Sequence, residues 1–203
     1  MTDFYDDLDA SRAETRRLIE LGAHDRRSEA HCPSLATLDA DGSPTQRIMI
    51  LRHVDWDARN LRFHTDARSL KTEQIAKRNA ASVLFYLPES KIQLRLNGTI
   101  SLVTTGEAVD CAWNEATLFA RRCYMATTAP GLHSAQPVSG LPEFIVGRQP
   151  TEQDIAPARE NFALLHLKFD TLEWLYLANA GHRRARWIWS DVNCEWQGCW
   201  LVP

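Results

Sequence analysis

The chain has 203 residues, 44% of them hydrophobic, with 23 Lys and Arg set against 26 Asp and Glu for a net charge of −3. That near balance gives no support for bulk nucleic-acid or membrane-surface binding, and the apolar share is ample for a single domain over 1–203 with a real core. No apolar run approaches the ~20 residues that span a bilayer, and the acidic opening MTDFYDDLDAS lacks the basic-then-apolar order of a signal peptide, so a cytoplasmic protein is expected. The five cysteines (Cys32, Cys111, Cys123, Cys194, Cys199) are odd in number and form no CxxC pair; reduced structural roles are expected, with Cys194 and Cys199 the one pair that a hairpin could bring together. The seven histidines are dispersed without HExxH spacing, so no metal site is expected.

In chain order, an amphipathic helix is predicted over about 4–21, a packing or dimer-contact element rather than a site. PSLATLDADGSPTQRIMILR reads as a hairpin turning at Asp41 and Gly42, a pair that tolerates positive backbone angles. Within QRIMILR, the alternation of Ile48 and Ile50 against Arg47, Met49 and Arg52 predicts a half-buried strand, followed by LRFHT as the next. Ser69 is placed as N-cap of a helix reading LKTEQIAKRN. ASVLFYL and KIQLRLNGTISLV continue the strands, and capping-box spacing between Thr104 and Glu107 predicts a second long helix through AVDCAWNEATLFARRCYM. Residues 126–150, rich in Pro, Gly, Ser and Thr, read as a mobile or partner-covered loop. A short helix over 151–161 precedes four further strands, FALLHLKF, TLEWLYL, ARWIWS and EWQGCWLV.

Many short strands with helices inserted between them argue a mainly β, α+β fold, an antiparallel barrel with peripheral helices and a helical insert at about 105–160. Neither GxGxxG nor GxxxxGK[ST] occurs, which disfavours a Rossmann or P-loop nucleotide site. The stretch from Gln46 to Lys71 carries the clearest chemical signal. Arg47 and Lys71 as cations, a hydroxyl at Ser69 and the amides at the start of a helix would cradle a phosphate monoester. Taken on composition alone, Arg47, Arg52 and Lys71 read as solvated strand and helix charges, and only a family resemblance reverses that. The tryptophans of the last strands read as core or interface residues, with Trp187 as the best candidate for stacking on a ring. Arg183, Arg184 and Arg186 form a basic knot that is either a phosphate site or a solvated strand end. His182 reads as a surface turn or a proton donor. Arg121 and Arg122 should pair at helical spacing with Glu115 or Glu107.

Arg47-Ile-Met-Ile-Leu-Arg52 resembles the R-[MIV]-V-L-L-[KR] strand of the pyridoxamine 5'-phosphate oxidase family of FMN-binding split barrels. Phe63-His64-Thr65 resembles its F-Y-T, Ser69-Leu70-Lys71 its S-R-K, and Gln93 the Gln of its R-Q-V. His182 to Trp187 and Trp196 to Pro203 resemble its C-terminal Arg-bearing strand and ending. The resemblance is ordered over about 32–103 and looser over 162–203. It implies an FMN-binding split barrel in which Arg47, Ser69 and Lys71 hold the FMN phosphate and His64 and Thr65 line the ribityl chain or ring edge. The backbone of Ile48, Met49, Ile50 and Leu51 would run along the isoalloxazine, with Gln93 donating to it. It further implies a homodimer, with Arg186 reaching the cofactor of the other subunit, and a small-molecule substrate touched by Arg52.

The departures from the family pattern concern substrate more than cofactor. Leu70 replaces the Arg of S-R-K, a phosphate contact that only Arg68 could restore. The Tyr-x-x-x-Arg-x-x-x-Ser series of the true oxidase has no counterpart in either insert register, Thr117/Arg121/Met125 or Leu118/Arg122/Ala126. Its Arg-x-His is broken too, since Ala185 stands two residues after Arg183. The resemblance therefore points to the FMN-binding, oxidase-like branch and an oxidoreductase of unidentified substrate; the alternative is a non-catalytic split barrel that binds or senses a flavin or another planar cofactor.

Overall fold

Segments with alternating apolar and polar residues become strands here, and the Gly, Asp and Pro punctuation between them becomes turns. The structure, a computed structural model, describes residues 3–203. Its strands are β1 (Ser34–Leu38), β2 (Pro44–Ile48), β3 (Leu51–Asp55), β4 (Asn60–Asp66), β5 (Ala80–Leu87), β6 (Ile92–Val103), β7 (Phe162–Tyr176), β8 (Arg183–Ser190) and β9 (Glu195–Leu201). They pair antiparallel in the path β2-β1-β5-β6-β7-β4-β3, with β8 added to β7 and β9 to β8. This is the expected antiparallel split barrel with peripheral helices.

The spine is the pairing of β6 with β7. Two strands, FALLHLKF and TLEWLYL, were expected where β7 runs unbroken for 15 residues. The ladder passes through a bulge: Gly98 faces Phe169 and Asn97 faces Thr171, so Asp170 is the extra residue. There β7 changes its other neighbour, from β4 before the bulge to β8 after it. The main core, including Leu35, Leu51, Phe63, Val83, Trp174 and Trp187, fills the barrel; Trp187, expected as the candidate for stacking on a ring, is 1% exposed and is a core residue, whereas Trp200 is 42% exposed.

The helices are α1 (Leu8–His24), α2 (Leu70–Lys77), α3 (Glu107–Glu115), α4 (Leu118–Arg121) and α5 (Glu152–Ile155). The first starts later than expected because the Asp7 carboxylate accepts from Ala10 N at 2.8 Å and caps it there. Residues Phe4–Asp6 form a separate 3-10 turn, whose Phe4 and Tyr5 rings pack on Tyr176. The single long helix expected after Thr104 is two. Gly106, at φ +105°, takes the N-cap position without a side-chain cap, the chain extends at Ala116, and the Thr117 hydroxyl recaps the next turn by accepting from Ala120 N. That break alters the ion pairing. Arg121 is buried, stacks on Trp113 and donates to both Glu152 oxygens at 3.0 and 2.9 Å, not to Glu115 or Glu107, while Arg122 lies over Phe119.

Under the insert a second apolar cluster joins Val109, Trp113, Ile145, Ile155, Phe162 and Leu164. Arg121 ties its rim to α5, and the stem of the arginine packs as well as its charge. Replacing Arg121 by Ala should lower stability by about 1–3 kcal/mol in urea unfolding, with Glu152→Ala costing less because Glu152 is largely exposed. An Arg121→Ala midpoint equal to that of the native chain would show that the pair contributes nothing to the insert.

Candidate functional site

The path of the sheet starts at β2 and ends at β3, yet only Met49 and Ile50 separate these strands in the chain. Consecutive strands thus face each other across an unpaired seam, the split of the barrel. The continuous strand expected over Arg47 to Arg52 is interrupted there, and its buried side is the reverse of the expected one. Leu51 pairs with Phe63 in the core and Met49 is buried, while Ile48 is 66% and Ile50 39% exposed. One-residue parity decides this: Ile48 is registered opposite Ser34 on the outer face, and Arg47 opposite the buried Leu35.

Arg47, Ser69 and Lys71 converge at this seam. The Arg47 guanidinium donates to Thr37 Oγ1 at 2.6 Å and Thr45 Oγ1 at 2.9 Å, with longer contacts to the Thr45 carbonyl and to Gln74 Oε1 on α2. Lys71 Nζ donates to Ser69 Oγ at 2.9 Å. Ser69 occupies the N-cap position of α2, but its hydroxyl donates to the Asp66 carbonyl at 2.8 Å and makes no side-chain cap, because the tight Asp66–Ser69 turn offers that acceptor first. Burial lowers both Arg47 and Lys71 from their ordinary values, and the Arg47 charge lowers Lys71 further. Among the described residues, neither cation is in an ion pair. Arg68 cannot stand in for the missing Arg at position 70, since Asp66 holds its guanidinium at 3.0 and 2.7 Å. Leu70 is half exposed, and Gly131 of the 126–150 loop lies against it.

Thr65 is buried one residue before Asp66, and its hydroxyl lies 3.4 Å from the Asp66 carbonyl. His64, on the other face of β4, packs edge-on against Phe162. Arg52 is the extra residue of a second bulge, between the pairs Leu51/Phe63 and His53/Arg62, which turns it out of the ladder toward His64 and Arg62. Gln93 and Arg186 lie on the outer face with Ile48. A single transverse row runs Ile48, Ser34, Leu84, Arg95, Glu173, Arg186, which puts Arg186 five strand spacings, roughly 24 Å, along the sheet from Ile48. Arg183 is drawn to Asp6 and Arg184 to Glu173, so of the basic knot Arg186 alone is outside the ion pairs of the described residues.

Sequence reasoning missed the groups that hold the cations. Thr37 and Thr45 were legible, being cross-strand partners in the predicted hairpin. Gln74 and Arg62 carried no local signal. The donor set suits FMN: two unneutralised cations and a hydroxyl for a phosphate, an open backbone edge, and exposed Ile48 and Ile50 for a flat ring.

Burial, followed by the charges of Arg52 and Arg62, pushes His64 down to about 3. An unfolded histidine titrates near 6.5, so between those values the unfolded chain takes up a proton that the folded chain refuses. The stability from neutral His64 is whole above the upper value and drains away as pH falls toward the lower. Urea unfolding should weaken between about pH 7 and 4, and His64→Phe should flatten that slope by up to about 1.4 kcal/mol per pH unit. Superimposable profiles would assign the slope to other groups, such as His53 and His166, which burial also lowers.

Residues 13–104 match the family model described as pyridoxamine 5'-phosphate oxidase, FMN-binding domain. The pyridoxine/pyridoxamine 5'-phosphate oxidase of Caulobacter vibrioides is 33% identical over 81 residues, 40% of this chain and 36% of that protein. The Pseudomonas fluorescens (strain SBW25) enzyme of the same name is 38% identical over 80 residues, 39% and 36% of the two chains. The match therefore spans little more than a third of the length of these relatives. Two solved structures align over nearly the whole chain. A pyridoxamine 5'-phosphate oxidase-related, FMN-binding protein of Nostoc punctiforme has a TM-score of 0.75 at 24% identity, covering 95% of this chain and 97% of its own. PhzG of Burkholderia lata, solved with tetrahydrophenazine-1-carboxylic acid, has a TM-score of 0.72 at 19% identity, covering 100% and 98%. The sequence match and the architecture agree in kind: residues 13–104 are similar to the FMN-binding domain of pyridoxamine 5'-phosphate oxidase, and the whole chain shares the split-barrel fold of these solved structures.

Proposed function

We propose that this protein binds FMN at the barrel seam and acts as a flavin-dependent oxidoreductase on a small molecule. The observation that carries this reading is the pair of half-buried cations, Arg47 and Lys71, neither in an ion pair among the described residues; Asp66, whose charge favours protonated Lys71, is engaged by Arg68. Two adjacent positive charges held against burial and mutual repulsion are stabilised once a dianionic phosphate lies between them. Arg47, Lys71 and Ser69 hold the phosphate, and Thr37, Thr45 and Gln74 fix the Arg47 fork. His64 and Thr65 flank the ribityl chain, and the backbone from Ile48 to Leu51 follows the ring. Gln93 donates to the ring edge. FMN supplies the hydride and electron chemistry when bound; the chain's own residues bind, orient and exclude water.

A homodimer completes the site in this reading. Arg186 shares the outer face with Ile48, five strand spacings away along the sheet, and in this reading serves a cofactor bound by a second copy. Exposed Ile48, Leu84, Tyr86 and Ile188 on that face supply apolar area for such a contact. The substrate differs from that of the true oxidase, because neither insert register reproduces its series and Arg121, the arginine of one of them, is buried in its bond to Glu152. Five unpaired, exposed cysteines suit a reducing, cytoplasmic setting.

The purified protein should be yellow or take up FMN stoichiometrically, run as a dimer, and be reduced and reoxidised by candidate donors and acceptors under anaerobic control. Reducible flavin that no donor or acceptor turns over would leave the non-catalytic binding role in its place. Arg47→Ala and Lys71→Ala should each weaken FMN binding by about 1.5–3 kcal/mol in a fluorescence-quenching titration; wild-type affinity in both variants would show the cradle to be misassigned.

A further inference from the structure

Residues Thr127–Gly140, within the stretch rich in Pro, Gly, Ser and Thr, form a loop that closes on itself. Thr127 N donates to the Gly140 carbonyl at 2.9 Å, so the chain between them leaves and returns at one point. Inside the loop the hydrogen bonds are local: Leu132 N to the Ala129 carbonyl at 3.4 Å and Ser134 Oγ to the Gln136 carbonyl at 2.7 Å. Among the described residues, no hydrogen bond joins residues 128–138 to anything outside the loop. Leu132 and Val138 are exposed, and a groove of about 890 Å³ runs along the loop, lined by its own residues and its two stems. A loop with so open an interior is positioned by the few places where it touches the fold.

Two features bring it to the first turn of α2. The stem residues Met125, Ala126 and Thr127 line one cavity with Arg68. At the tip, Gly131 approaches Leu70 so closely that a Cβ there would lie 3.1 Å from Leu70 Cδ1, and its φ of +93° is one that glycine adopts without strain. Leu70 lies between Ser69 and Lys71, so the loop straddles the turn that carries two of the three cradle side chains. Leu70 also stands where the family pattern has an arginine; the exchange trades a phosphate contact for an apolar seat under a glycine turn.

We propose that Thr127–Gly140 is a gate beside the phosphate cradle, latched by the Pro130–Gly131 turn on Leu70, and that this latch sets how fast FMN enters and leaves more than how tightly it binds. The Leu70 side chain offers a phosphate no hydrogen bond, so releasing the latch costs much the same with the cradle full or empty, and entry and exit are slowed alike. The gating role rests on the FMN reading of the cradle; the latch itself does not.

Two measurements on the full-length protein keep the latch and the gate apart. The latch is read without cofactor, by thermolysin cleavage before the exposed Leu132 or Val138, with the cut mapped by mass spectrometry. Leu70→Ala and Gly131→Ala break the contact from opposite sides and should each speed this cleavage about tenfold, whereas Leu70→Met keeps an apolar seat and should be cut at the native rate. Alanine at the first position of α2 preserves the helix, so Leu70→Ala reports on the contact and not on folding. The gate is read by stopped-flow flavin fluorescence. In the two latch-breaking variants, association and dissociation of FMN should both quicken about tenfold, with affinity within about threefold of native. Native cleavage rates in both variants overturn the latch. Faster cleavage with unaltered FMN rates, or a change confined to dissociation, overturns the gate and leaves the flavin reading standing. A native chain that takes up no FMN at all defeats the flavin reading and the gate together, while the cleavage rates still decide the latch.

Discussion

The path of the barrel sheet begins at β2 and ends at β3, and those two strands are joined by only two residues yet do not pair. This geometric constraint governs the rest. Because β2 and β3 meet in the chain but not in a ladder, the backbone from Ile48 to Leu51 must turn from one edge to the other within a few residues. Arg47 and Arg52, placed on either side of this turn, consequently serve different walls: the first reaches under α2 to Gln74 and the second leaves its ladder at a bulge to face His64. A paired seam would satisfy the open backbone edge, whereas the bulge that frees Arg52 belongs to the β3–β4 ladder.

Charge in this molecule is either neutralised locally or conspicuously not. Arg68 is consumed by Asp66, Arg121 by Glu152, Arg183 by Asp6, and Arg95 with Arg184 by Glu173. Among the described residues Arg47 and Lys71 flank one side of the seam and Arg52 and Arg62 the other without an ion pair, as Arg26, Arg78, Arg122 and Arg186 stand elsewhere. Half-buried cations without counterions reduce stability.

The hairpin, the helix after Ser69, the strand series and the family were legible because each has a local signature: Asp-Gly at the turn, period-two alternation, and an ordered set of short motifs. What escaped depended on distant partners. Parity at Ile48 and Ile50 reads equally well in either sense from one strand, and only the pairing of Leu51 with Phe63 fixes which side is buried. The capping-box spacing at Thr104 was locally sound, but Gly106 with its positive φ took the cap, and the helix then broke so that Arg121 could reach a glutamate 31 residues away. Asp154, in contrast, forms a capping box with Thr151 that the sequence displayed openly and the reading passed over. Arg26 and Arg62 drew no reading, because nothing in their neighbours announces the cavity they share.

At Gly98 the two longest strands approach so closely that a methyl group there would sit 2.0 Å from the Lys168 carbonyl oxygen. The kink lies where β7 trades β4 for β8, so the flap formed by β8 and β9 leaves the barrel at an angle set by an atom that is not there. The place of Arg186 on β8 is therefore dictated from Gly98, by the absence of a side chain rather than the presence of one.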